Sequence, residues 1–257
     1  MRKAILTSFF ALFLLSCSTL TPIQTYKHKD DKPIYPAVIK VFQDMAIPME
    51  KMDLFKQEFL SGNLTANDLL SQIRFKLSVH LENNYIVSSL VNMQLKDAET
   101  GLWKNNSMPL FFDKNKFCNS ISSQINSIVS NPQLYNSAKD KILNDLAFHR
   151  YILDDLTEVG REMWIQNNMK GRIFNLNLTL DNFEKNSKPE IHKSFVAYLS
   201  CQKIGILPGY RVRLYTNVNR YAGFKKGSLV KTQGQLVNIE DSFLNHQSFV
   251  NLIEPEV

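Results

Sequence analysis

Asp154, Glu158 and Glu162 recur every four residues, so on a helix they share one face. Two carboxylates held at fixed separation are the equipment of glycoside hydrolysis. With Arg150 and Arg161 close by, the same run also fits a solvated, charge-balanced face. Cys118 and Cys201 are the two thiols outside the N-terminal segment. In an oxidising compartment they are a candidate disulfide; in a reducing one they are two core thiols. Three cysteines in all exclude a four-Cys zinc site. The five histidines, at positions 28, 80, 149, 192 and 246, make neither a His-x-x-His nor a His-Glu-x-x-His spacing, so no metal site is expected. His149 falls on an apolar stripe, where a hydrogen-bonded core histidine is the expectation. The Gly-x-Ser-x-Gly, P-loop and dinucleotide patterns are absent. No catalytic residue and no cofactor are therefore assigned.

The N-terminus carries the one specific motif. Arg2 and Lys3 precede twelve residues that are apolar except for Thr7 and Ser8, followed by Leu14-Leu15-Ser16-Cys17. A spanning helix needs about 18 apolar residues or more, so the run reads as a signal h-region. Its end resembles the lipobox of bacterial lipoproteins: aliphatic at −3, small at −1, then the modified cysteine. The resemblance covers residues 1–17 and implies a type II signal peptide, with Cys17 carrying diacylglyceryl and fatty acyl (palmitate-type) chains. Each buried CH₂ contributes about 0.8 kcal/mol, so two or three chains anchor a protein without a transmembrane helix. Ser18 rather than Asp follows Cys17, which in that family implies the outer membrane; a periplasm-facing display is expected.

The formal charge of the 257-residue chain is +6, and removing residues 1–16 leaves about +4. The distribution is uneven. Between Ile191 and Ile239 there is no Asp or Glu, while Lys193, Lys203, Arg211, Arg213, Arg220, Lys225, Lys226 and Lys231 make that segment +8. The rest of the mature chain is then −4. Arg211, Arg213 and Tyr215 alternate along a strand pattern and share a face; Tyr221 and Phe224 interleave with Arg220, Lys225 and Lys226. Rings and guanidinium groups together suit an anionic partner, whether glycan, lipid headgroup or acidic protein. Nucleic acid is not expected for an exported protein. A plain solvated strand face, or one docked on the acidic remainder of the chain, is the competing reading.

The stretch from Asp97 to Gly101 and Trp103 superficially resembles an Asp-x-x-Thr-Gly…Trp turn of some envelope lipoproteins that activate peptidoglycan synthases. One residue separates Gly101 from Trp103 where about three are expected, so it names no family.

The elements that must position these groups follow from periodicity. Residues 17–36 read as lipidated cysteine plus flexible tether, and 37–170 as a helical body. Within it, Pro36 opens a helix over 37–46, and further helices are predicted over 49–60 and 65–81; residues 86–98 fit a helix better, although Val91-Asn92-Met93-Gln94-Leu95 also alternates like a strand. Another carries Ile121, Ile125, Ile128 and Val129. A long helix over 134–163 is bent at Gly160. Residues 171–257 read as an α+β part: strands around 173–180, 210–218 and 228–239, a bulge at Gly234 and a helix over 191–204. The expected class is α+β, a mostly helical N-terminal body with a small antiparallel C-terminal sheet. The expected function is a non-enzymatic, lipid-anchored envelope lipoprotein serving as a protein-interaction or assembly subunit, its basic sheet meeting an anionic partner. The alternative is an envelope enzyme acting on peptidoglycan or lipid through the helix carboxylates.

Overall fold

The computed structural model describes residues 26–28, 32–67, 72–105, 113–188, 190–239 and 249–255. The expected signal peptide, Cys17 and most of the expected tether lie outside them. The chain forms two compact units that divide between Tyr135 and Asn136. It is 41% strand and 32% helix, which overturns the mostly helical class: each unit is built on a sheet.

In the first unit α1 (Tyr35–Asp44) forms as expected. Pro36 occupies the first helical turn, and Ala37, Val38, Val41 and Phe42 are buried. The helices predicted over 49–60, 65–81 and 86–98 are strands instead: β2 (Met49–Asp53), β3 (Glu58–Ser61), β4 (Leu64–Asn67), β5 (Gln72–Glu82) and β6 (Tyr85–Lys96), with the short β1 (Tyr26–Lys27) and β7 (Trp103–Asn105). These seven make one sheet, with β1-β6-β5-β3-β2 as its main order and β4 on β5 and β7 on β6.

The reason is local. Residues four apart satisfy period 2 as well as period 3.6, so Ile73, Leu77 and Leu81 fit both. The buried set is in fact Ile73, Phe75, Leu77 and Val79, a strict alternation. Turn chemistry then decides. Asp53 Oδ1 accepts from the backbone N–H groups of Phe55 and Lys56, closing an Asx turn between β2 and β3. Asn83 and Asn84, φ 49° and 64°, make the two-residue turn between β5 and β6. The helix α2 (Lys114–Ser130), N-capped by Asp113, buries Ile121, Ile125, Ile128 and Val129 as expected. Ser122 donates to Ser88 of β6 at 2.7 Å.

In the second unit the long helix over 134–163 is three: α3 (Pro132–Leu143), α4 (Leu146–Asp155) and α5 (Glu158–Asn168). The breaks fall at N-caps, not at Gly160. Asp145 accepts from Ala147 N at 2.9 Å, and Thr157 accepts from Gly160 N at 3.3 Å. Then come β8 (Ile173–Lys185), β9 (Phe195–Cys201), β10 (Tyr210–Thr216), β11 (Leu229–Ile239) and β12 (Phe249–Ile253). The segment predicted as a helix over 191–204 therefore holds strand β9 instead.

The five strands close into a barrel of order β10-β12-β11-β8-β9. All pairs are antiparallel except β10 with β12. Counted from β8, the circuit runs 1-2-3-5-4-1 with strands 3 and 5 parallel, the connectivity of an OB-fold. Its interior is apolar, with Phe174, Leu178, Leu199, Val212, Leu214 and Leu252 buried beside Leu146 and Leu153 of α4. Gly234 is in regular register with Phe174; the irregularity lies between Leu236 and Asn238. Glycine stands at 234 because a Cβ would meet Leu252 at 2.9 Å and Leu214 at 3.0 Å.

Candidate functional site on the barrel

Strands β9, β10 and β12 bring the expected cations and rings together on one outer strip. Arg211 is exposed and Arg213 half-buried, with Val212 between them pointing into the barrel. The Arg213 guanidinium lies 4.1 Å from the ring centroid of Phe249 on β12 and 5.8 Å from that of Tyr198 on β9. Those two rings meet edge to face at 5.6 Å. A guanidinium this close to an aromatic face is held by cation–π attraction.

Sequence reading missed Tyr198 and Phe249, because strand pairing alone brings them beside Arg213. It also missed two acids. Strand β8 sets Glu184 against Tyr198, whose hydroxyl donates to it at 2.8 Å, and Asp181 against Ser200 at 3.0 Å. Burial, then that bond to Glu184, raises the Tyr198 pKa. The acid-free segment is thus bordered by carboxylates on one side, and the strip is basic toward β10.

Four expected binding residues are placed differently. Tyr215 is 1% exposed, so its ring is not offered to solvent. Arg220 does not project freely: its Nη2 donates to Glu254, to the Tyr221 hydroxyl at 2.9 Å and to Thr232 Oγ1 at 2.9 Å. Lys225 and Lys226 are exposed, in the turn that follows Phe224 and leads to β11, away from the regular strands of the strip.

Glu254, 8% exposed, also accepts from Thr216 Oγ1 at 2.5 Å, Tyr221 at 2.7 Å and Thr232 at 2.9 Å. Burial works to raise its pKa, but these donors and the Arg220 charge hold it below the usual carboxylate range. The network borders a cleft of about 470 Å³, whose lining includes Lys193, Thr216, Arg220, Lys231 and Glu254.

Asp154 and Glu158, which the alternative enzymatic reading would pair, do not share a helix. Asp154 ends α4 and Glu158 opens α5, with Thr157 capping between them. Both are exposed, as is Glu162. Cys118 is buried in the first unit and Cys201 half-buried in the second, each a free thiol. Burial raises both pKa values, that of Cys118 to about 11, so neither is an activated nucleophile. His149 is a hydrogen-bonded core residue, as expected. It bonds the Leu143 carbonyl at 2.8 Å and the Trp164 indole at 3.0 Å.

Among the described residues no three His, Cys, Asp or Glu side chains gather to hold a metal ion, and no helix is long and apolar enough to cross a membrane. No protein-family model matches the chain, and no curated protein matches it.

Proposed function

We propose that this chain is a lipid-anchored protein of the bacterial envelope that works by binding, as an interaction or assembly subunit. Its barrel meets an anionic partner through the strip of Arg211, Arg213, Tyr198 and Phe249. The observation that carries this reading is the Arg213 guanidinium lying 4.1 Å over Phe249 beside Tyr198. It sits on strands 2, 3 and 5 of a barrel type whose strand 2–3 face serves oligosaccharides and oligonucleotides. Cations and aromatic rings on one face suit an anion that adjoins an apolar ring face. The Cys17 motif supports an anchor at the membrane, with the 17–36 segment as its spacer.

The test is in-cell crosslinking of the full-length protein against Arg211→Glu/Arg213→Glu, with protein and sugar analysis of what is captured. Loss of a reproducible partner on charge reversal is the expected result. An unchanged set of partners would remove the strip from the function. Metabolic labelling with a palmitate analogue, absent from Cys17→Ala, tests the anchor separately.

A further inference from the structure

The cleft at the barrel's end, where β10 and β12 finish side by side, has the composition of a ligand site. Its volume of about 470 Å³ is within the roughly 300–1,000 Å³ range of small-molecule sites. Lys193, Arg220 and Lys231 line it with one carboxylate, Glu254. That carboxylate accepts from four side chains, so it acts as a fixed anchor that aims Arg220. Among the described residues Nε and Nη1 of Arg220 make no hydrogen bond, and Lys231 makes no ion pair. The cleft is therefore cationic, with the separate Nε and Nη1 donors of Arg220 and the Lys231 ammonium as single contacts for an anion.

The neutral lining adds a second chemistry. Asn217 Oδ1 accepts from Ser194 N at 3.1 Å and Gln233 Nε2 donates to Asn175 at 2.9 Å. Among the described residues the Nδ2 of Asn217 and the Oε1 of Gln233 make no hydrogen bond, which leaves a donor and an acceptor for hydroxyls. Val218 and Pro255 supply an apolar wall. One anionic group, several hydroxyls and a partly apolar ring face describe an acidic sugar better than a bare phosphate, which would leave the amides and the wall unused.

We propose that this cleft binds an acidic sugar unit, its carboxylate on Arg220 and Lys231 and its hydroxyls on Asn217 and Gln233. The cleft is argued from its own residues and does not rest on the Arg211–Arg213 strip, which Arg211→Glu/Arg213→Glu tests independently. The experiment is titration of the full-length protein in neutral detergent with glucuronate, glucose and inorganic phosphate, by calorimetry and ligand-observed NMR. Glucuronate binds saturably, and glucose and phosphate each bind at least about tenfold more weakly. Lys231→Glu, an exposed position that melts like wild type, weakens glucuronate at least about tenfold, whereas Arg211→Glu/Arg213→Glu does not. No saturable glucuronate binding, equal binding of glucose or phosphate, or an unchanged affinity in Lys231→Glu would each overturn the assignment.

Discussion

The Trp164 indole N–H donates to Nδ1 of His149 at 3.0 Å. Because an indole can only donate, Nδ1 must be the unprotonated nitrogen, and Nε2–H donates to the Leu143 carbonyl at 2.8 Å. One neutral imidazole thereby ties α3, α4 and α5 together, and Phe174 of the barrel meets it edge to face at 5.5 Å.

This arrangement sets an acid limit on stability. Burial first, with the Arg172 charge adding to it against the bond to Leu143, lowers the His149 pKa from 6.5 to about 4. Between those values the unfolded chain takes up a proton that the folded chain refuses, so stability is full above about pH 6.5 and falls as pH drops toward 4. The loss is on the order of 1–3 kcal/mol. Urea midpoints measured from pH 7.5 to 4 should show that slope, and His149→Phe should flatten it. Taking the difference between the two proteins separates His149 from Asp145, whose raised pKa works in the opposite sense.

Gly234→Ala should destabilise the second unit by about 1–3 kcal/mol, since its Cβ would stand 2.9 Å from Leu252 inside a filled barrel. Gly223→Ala has nothing within 4 Å of its new Cβ and should melt within about 0.5 kcal/mol of wild type. Equal melting of the two variants in thermal scans would mean that the barrel interior is not packed around position 234.

The thiols should count as two per chain when the unreduced, full-length protein is denatured and titrated, with Cys17 acylated. In the native protein at pH 8, Cys201, half-buried, should alkylate well before Cys118, which is buried with its pKa pushed up to about 11. A count of zero thiols would instead establish the Cys118–Cys201 bridge that an oxidising compartment permits.

Several features were legible in the sequence because they depend on neighbours along the chain. Pro36 opening α1, the Ile121–Val129 stripe, the alternation through Phe174, Leu176, Leu178 and Leu180, and the placement of His149 in a core all follow from local pattern. The charge asymmetry and the shared face of Arg211 and Arg213 were likewise readable. The strands of the first unit were not. A spacing of four fits a helix and a strand alike, and only the turns at Asp53 and at Asn83-Asn84, with the long-range pairing they permit, select the sheet.

The site was half legible for the same reason. Composition determined that residues 191–239 are cationic, and a motif of seventeen residues carries the whole case for an anchor. Tertiary structure decided which cations share a surface. Pairing of β10 with β12 places Phe249 under Arg213, and pairing of β8 with β9 brings Glu184 to Tyr198. The return of the chain at Glu254 converts Arg220 from an expected surface charge into the aimed wall of a cleft. Each of these contacts joins residues 14 to 36 positions apart, a separation that sequence periodicity cannot bridge.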